Sequence, residues 1–401
     1  AKSLNNKRKK VIVIDRVNHH MFQPLFYQVA CGRIEPSNIS FPFRKIFQRS
    51  RNIQYRMTDV QKILPEQNKI ITEDAEFTYD KLVIATGCKT NFFGNGKMEH
   101  LTFGMKNTQE AIAIRNHVLL TFEKLIIERK RSDDGNWNIV IVGSGPTGVE
   151  LAGAFAEMKK DILPRDYPNM NFDNLNIILV SSTTTPLSVM SEESQQMSEK
   201  YLKELGVQFM SDEFVTDYDG DKVYMKSGKT ISSNNVIWAA GVIGNIIEGL
   251  NPDVMIRNRY KTDRFNRVLG YQNIYAIGDI AYMETPKYPQ AHPQVANVAI
   301  NQGKNLGRNF LRKSENEWKQ YEYTDRGSMA TIGKHRAVVD LPGFKFQGFL
   351  AWYFWMFLHL MLILSVRNKI AIFFNWMWSY LNKDSSLRLI IIPNKKNNTE
   401  Q

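Results

Sequence analysis

Six residues, Gly143-Ser144-Gly145-Pro146-Thr147-Gly148, offer the clearest chemistry in this sequence. They form a complete GxGxxG between the apolar run Ile139–Val142 and a stretch with Leu151, Phe155 and Met158 at helical spacing. Each glycine answers a separate demand. Gly143 allows a tight turn, Gly145 lets backbone approach a pyrophosphate, and Gly148 lets the helix pack closely on the strand. The free N–H groups and dipole of the helix start then favour the phosphate charge. The same spacing occurs in ligand-free strand–helix turns. Strand before and helix after make dinucleotide binding the expectation.

A second strand of this unit reads Ile177–Val180 and should end in an acid that bonds the ribose hydroxyls. Ser181 stands there, followed by Ser182 and three threonines, with no arginine or lysine for a 2′-phosphate. The expectation is weak discrimination between NADH and NADPH. Farther on come a helix over 191–205, a strand over 207–210, a hairpin at Asp219-Gly220, and an apolar strand into Ala239-Ala240-Gly241.

Two further acids stand at strand ends. Val11-Ile12-Val13-Ile14-Asp15 reads as a buried strand whose carboxylate would bind an adenosine ribose. That places a first strand and glycine loop upstream of Ala1, with residues 1–4 as the tail of the helix between; otherwise 11–15 is an ordinary strand. Residues 273–281, NIYAIGDIA, set Gly278-Asp279 at a strand end, where a carboxylate can reach a flavin ribityl hydroxyl. The strand before Thr86-Gly87 is compatible with a flavin domain and equally with any buried strand. Between them, residues 40–85 read as short strands and turns. Residues 107–130 carry Ile112, Ile114, Val118, Leu119, Phe122 and Ile126 at helical spacing, and 293–310 read as a helix with Val295, Val298 and Ala299 inward.

The elements that position these residues need more than one core, since 401 residues exceed one ordinary domain. A net charge of +12 calls for an anionic partner, nucleic acid or an anionic membrane surface. The basic cluster at residues 7–10 is too short for a nucleic-acid arm. Cys31 and Cys88 are the only cysteines, so no disulfide framework exists and a reducing compartment fits. No signal-peptide pattern stands at the start.

The C-terminal part changes character. Residues 349–366 form an eighteen-residue run in which only His359 and Ser365 are polar; Arg367-Asn368-Lys369 interrupts, and an aromatic stretch resumes at Ile370. Eighteen residues is at the lower limit for a span. Trp352, Trp355, Trp376 and Trp378 with flanking Arg and Lys suit the headgroup region better. Two interfacial helices are expected, with Lys369, Lys383, Arg388, Lys395 and Lys396 near anionic lipid. One spanning helix or an apolar dimer interface would carry the same pattern.

The sequence resembles the type II NADH dehydrogenases, single-chain NADH:quinone oxidoreductases of bacterial membranes. The matching segments are residues 13–30, 81–87, 138–157, 236–242, 274–281 and 327–333 and the tryptophan-rich end, in family order over nearly the whole chain. The resemblance implies an α/β fold with two Rossmann-like dinucleotide-binding domains, for FAD and NADH, and C-terminal amphipathic membrane-anchoring helices. The expected boundaries are 1–107 and 246–345 for the FAD-binding domain, 108–245 for NADH, and 346–401 for the anchor. It implies that Asp15 binds the FAD ribose and Asp279 the ribityl chain, and that Thr86 and Gly87 flank the flavin. Pro24 falls with the cofactor-binding residues. Glu150 becomes the catalytic residue at the nicotinamide end, with Ala240 and Gly241 lining that site. The family's quinone motif AQxAxQQG reads ANVAINQG at 296–303, so Asn297, Asn301 and Gln302 are the quinone candidates, two of them a methylene shorter than glutamine. No metal is implied. The implied setting is the cytoplasmic face of the membrane, peripheral, with a homodimer as a further expectation.

Two rivals differ in class. A soluble flavin disulfide reductase needs paired cysteines, which Cys31 and Cys88 are not. A membrane-bound NADH-binding protein without catalysis is motivated by the upstream loop and the two asparagines. Bound flavin separates that rival from the enzyme.

Overall fold

The computed structural model describes residues 1–5, 9–128, 137–382 and 387–391. Lys7 and Arg8 of the basic cluster, and Lys383, Lys395 and Lys396, lie outside them. The chain folds into two compact units. One comprises residues 1–20, 41–89 and 242–325, the other 21–40, 90–241 and 326–401.

In the first unit the strand Val11–Asp15 pairs in parallel with Ile53–Met57, and Leu82–Ile84 pairs in parallel with Ile274–Ala276. Val60–Leu64, Lys69–Thr72 and Glu76–Thr78 form an antiparallel meander. Ile63, Ile84, Tyr260, Val268, Ile274 and Ile280 close one core among them. A helix spans Ala296–Asn309. Val298 is buried as expected, but Val295 is exposed, because it precedes the helix as its N-cap rather than facing inward.

The second unit is built on a parallel sheet in the order Gln208–Met210, Ile177–Val180, Ile139–Val142, Asn235–Trp238. Three of these strands are buried along their whole length. Sheets covered on both faces produce such unbroken apolar runs, which is why they stand out in the sequence. Helix Pro146–Glu157 is buried from Gly148 onward on every side, not along one stripe. Helix Thr108–Glu128 buries Ile114, Val118, Leu119 and Phe122 and leaves Ile126 exposed. Helix Glu192–Glu204 starts at Ser191, whose hydroxyl accepts from Ser194 N–H. Residues 21–40 belong to this unit because Phe26–Ala30 packs on helices Thr108–Glu128 and Pro146–Glu157.

An antiparallel sheet, Ser328–Thr331, Ala337–Leu341 and Phe344–Gly348, leads into the C-terminal helices. These differ from the sequence expectation. The eighteen-residue run is not one helix: the first helix is Phe349–Leu362 and the second Val366–Asn382. The break falls at residues 363–365, not at Arg367-Asn368-Lys369, because Ile363 is extended and Ser365 O accepts Lys369 N–H to open the second helix. Lys369 Nζ donates to Met361 O at 2.8 Å, satisfying a carbonyl at the end of the first helix. Fourteen residues at 1.5 Å each span about 21 Å, short of the roughly 30 Å of a hydrocarbon core. Among the described residues no helix is long and apolar enough to cross a membrane.

Residues 387–391 return to the body of this unit. Asn116 donates to Ile391 O at 2.6 Å and accepts from Ile391 N–H at 3.2 Å, and Arg388 Nη2 bonds Asp166 Oδ1 at 2.9 Å. Arg388 is thus paired with a carboxylate of this unit and Lys369 with a carbonyl.

Candidate nucleotide and flavin sites

At the centre of the parallel sheet the chain turns from Val142 into the helix at Pro146. Gly143 has φ +106°, and a Cβ there would lie 2.5 Å from Ala239 O. A Cβ on Gly148 would lie 1.9 Å from Gly143 O. Neither position admits a side chain. Gly145 meets nothing within 4 Å, so its backbone faces open space at the head of a twelve-residue helix. This cradle fits a dinucleotide pyrophosphate.

Three strand ends converge there. Gly143 N–H donates to Val180 O and Ala239 N–H to Val142 O. Ala240, after strand Asn235–Trp238, therefore borders the glycine turn, and Gly241 is the next residue along the chain. Ser181 is buried, with its hydroxyl 2.6 Å from Ser144 Oγ and 2.8 Å from Thr183 Oγ1. Its side chain is engaged in fixing the glycine loop to the end of the neighbouring strand.

Glu150 lies one turn into the same helix. Its Oε1 accepts Thr331 N–H at 3.4 Å, and burial pushes its carboxyl up to about 8, a rise that the Thr331 contact only partly offsets. A chain of hydrogen bonds continues outward. Thr331 Oγ1 meets Tyr27 OH at 2.9 Å, Gln28 Nε2 donates to Tyr27 OH at 2.8 Å, and Trp376 Nε1 donates to Gln28 Oε1 at 2.8 Å. Tyr27, Gln28, Lys334, Trp352, Trp355 and Trp376 help line a small open cleft. Deeper in the helix, Glu157 pairs with Arg33 and also accepts Lys334 N–H. Pro24 sits in the 3₁₀ turn Gln23–Leu25 of this unit.

In the first unit the sequence-selected residues again stand at strand ends or just after them. Asp15 Oδ1 accepts Val17 N–H at 3.0 Å, and burial raises its pKa. Thr86 Oγ1 donates to Asn245 O at 2.6 Å, and beside it Gly87 faces open space. Gly278 N–H donates to Gln302 Oε1 at 2.7 Å. Asp279 Oδ2 accepts the Cys88 thiol at 3.0 Å, and Asp279 O accepts Gln294 Nε2 at 3.0 Å. Carboxylates at two strand ends and an open glycine corner fit a flavin dinucleotide's hydroxyls. Of the quinone candidates, Asn301 Nδ2 bonds Asn297 Oδ1 at 2.7 Å, while Gln302 is buried with its carbonyl committed to Gly278.

The comparisons with known proteins agree with this geometry. The family model of pyridine nucleotide-disulphide oxidoreductases matches residues 1–303, and that of the NDH2 C-terminal domain matches 326–383. The type II NADH:quinone oxidoreductase Ndh of Mycobacterium tuberculosis is 30% identical over 407 residues, covering 95% of this chain and 85% of that protein. The chain belongs to the type II NADH:quinone oxidoreductases. A probable NADH dehydrogenase of Dictyostelium discoideum is 25% identical, over 94% of this chain and 85% of its own length. Among solved structures, NDH2 from Plasmodium falciparum in complex with NADH superposes with a TM-score of 0.90 at 20% identity, over 97% of both chains. The fold is α/β, with Rossmann-like nucleotide-binding parts and C-terminal helices, as the sequence implied.

In this type II NADH:quinone oxidoreductase the residues that sequence reading missed are the partners rather than the motif. Tyr27, Thr331, Arg33 and Glu157 meet across more than a hundred residues of chain, and no local spacing marks them. The one signal was chemical: a Glu inside an otherwise apolar helix needs a partner.

Proposed function

We propose that the chain passes a hydride from NADH to FAD and hands the electrons to a membrane quinone, without pumping protons. The glycine cradle at the head of helix Pro146–Glu157 carries this reading, in a chain of this family. Gly143, Gly145 and Gly148 receive the NADH pyrophosphate, with Ser181, Ala240 and Gly241 at its border. Asp15, Thr86, Gly87, Gly278 and Asp279 hold FAD. Residues 1–107 and 246–345 serve FAD, 108–245 serve NADH, and 346–401 anchor the protein. The two cofactors supply hydride acceptance and electron delivery.

Glu150 is the acid–base residue of this reading. A carboxyl held near pKa 8 keeps its proton at neutral pH and can release it on demand. Asn297 and Asn301 are assigned to the quinone carbonyl. Gln302 reaches the quinone only through the Gly278 turn that it braces.

The membrane reading rests on an outward face that stays apolar. On helix Phe349–Leu362, Ala351, Trp355 and His359 face inward at four-residue spacing. Leu350 is nonetheless 74% exposed and Phe357 64%, and Val366, Phe374 and Trp378 continue the surface on the second helix. A continuous apolar patch of this kind needs a nonaqueous partner. The partner we assign is the lipid of the cytoplasmic membrane face, with a homodimer as a second use of the same chain.

The test is NADH oxidation by the flavin-loaded full chain with a water-soluble quinone, and in proteoliposomes carrying a membrane quinone. Stoichiometric quinone reduction with no proton gradient is expected. NADH binding without quinone reduction would overturn the reading in favour of a non-catalytic NADH-binding protein.

A further inference from the structure

The Gly278-Asp279 turn is gripped from three sides. Gln302, buried on helix Ala296–Asn309, accepts Gly278 N–H at 2.7 Å. Gln294 donates to the Asp279 carbonyl at 3.0 Å. The third grip is on the carboxylate itself: Cys88 Sγ stands 3.0 Å from Asp279 Oδ2. A thiolate beside a carboxylate would be repelled, so this contact is an S–H donor on an anionic acceptor. The buried Arg259 guanidinium adds an attractive charge near the same carboxylate, and it is itself fixed on Ala281 O and His292 O.

We propose that Cys88 is a positioning residue for flavin binding, acting through Asp279. The inference rests on the reading that Asp279 takes the ribityl chain. The backbone grips set where the turn lies, while the thiol holds one oxygen of the carboxylate directly, with the Arg259 charge acting nearby. With Oδ2 held by sulfur, Oδ1 is presented to a hydroxyl without first giving up rotamer freedom. Cys88 follows Thr86-Gly87 by one residue, so the segment expected to flank the flavin also delivers the group that aims its carboxylate. A lone thiol elsewhere on a strand end would do nothing of the kind, and Cys31, fully buried, has no such partner role.

The experiment measures FAD affinity of the full chain by quenching of flavin fluorescence in Cys88→Ala, Cys88→Ser and Asp279→Asn. Alanine removes the donor, and serine restores one at nearly the same volume. We expect Cys88→Ala to weaken FAD about threefold to tenfold, Cys88→Ser to bind within about twofold of wild type, and Asp279→Asn to weaken it about tenfold or more. In a second arm, N-ethylmaleimide labels the wild-type protein with and without FAD, and peptide mass locates the adduct. FAD should slow labelling of Cys88 while Cys31 stays unlabelled throughout. Equal weakening by alanine and serine would make Cys88 a packing residue and overturn the proposal. So would wild-type affinity in Cys88→Ala, or labelling of Cys88 that FAD leaves unchanged. If Asp279→Asn binds FAD normally, the ribityl assignment itself falls; if it binds poorly while Cys88→Ala is normal, only the positioning role does. Should the Cys88 variants fail to fold, the labelling arm on wild-type protein decides alone.

Discussion

Glu157 accepts two donors at once, the Arg33 guanidinium and the Lys334 backbone N–H, and both members of the ion pair are about nine-tenths buried. Removing one partner strands the other as an uncompensated charge. Glu157→Gln should therefore cost about 3–5 kcal/mol in denaturant unfolding, whereas Arg33→Met combined with Glu157→Met should recover most of that loss. A Glu157→Gln cost below about 1 kcal/mol would show that solvent reaches the pair.

The three glycines of the cradle should separate folding from binding. Gly148→Ala drives a methyl into Gly143 O and should destabilise the protein by about 1–3 kcal/mol. Gly145→Ala meets no protein atom, so its melting temperature should match wild type while its NADH affinity falls about tenfold, near 1.4 kcal/mol. Calorimetry and an NADH titration on the same two variants check this. Unchanged NADH binding in Gly145→Ala would remove the pyrophosphate from this turn.

Glu150 predicts a pH signature. Its carboxyl titrates near 4.5 when exposed and near 8 in the fold. Below 4.5 both states are protonated and the group contributes nothing. Between 4.5 and 8 the unfolded chain has lost a proton that the fold retains, so stability falls with rising pH, by up to about 1.4 kcal/mol per unit, and levels off above 8. Glu150→Gln abolishes that slope. Its melting temperature should match wild type at pH 4 and exceed it increasingly up to pH 8. Quinone reductase turnover should meanwhile drop about 10²-fold. A difference in melting temperature independent of pH would refute the buried, neutral carboxyl.

Ser181→Glu tests the loop rather than cofactor preference alone. From sequence, an acid there simply restores selection for NADH. The observed serine is enclosed against Ser144 and Thr183, so the larger charged side chain must break both contacts. Ser181→Ala should cost about 1–2 kcal/mol, and Ser181→Glu more. A stable Ser181→Glu protein with tighter NADH binding would mean that the loop readjusts freely.

The outward helix face can be tested without touching the core. Leu350→Glu with Phe357→Glu should shift the protein from sedimented vesicles to the supernatant and leave its melting temperature nearly unchanged. Trp355→Ala, one turn away on the inner face, should instead cost about 3–5 kcal/mol. Deletion from Gly348 onward would mix the two effects, since Ala351, Trp355, Ile363 and Ile372 belong to the main core of the second unit.

These contrasts show what the sequence makes legible. The parallel sheet, the glycine turn and the Gly-Asp turn are local patterns with a fixed period or spacing, and they lie where the residues place them. The end of the first C-terminal helix was not legible, because Ile363, Leu364 and Val366 continue the apolar run while the backbone turns. Ser365 and Lys369 make that turn through carbonyl contacts that composition does not reveal. Ser181 adds a related point: its position points to the ribose, but only its neighbours show that its hydroxyl is already engaged.

The short segment at 387–391 gives the aromatic helix pair a second point of attachment. The pair leaves the body of its unit through strand Phe344–Gly348 and comes back to it through Asn116, Asp166 and Arg115. It behaves as a bracket bolted at both ends rather than as a tail. One backbone cut between the helices would leave each fragment still fastened. Detachment would also need the helices' own grip on the core to fail, where Trp355 is buried, Asn368 donates to Ser40 O and Trp376 donates to Gln28 Oε1.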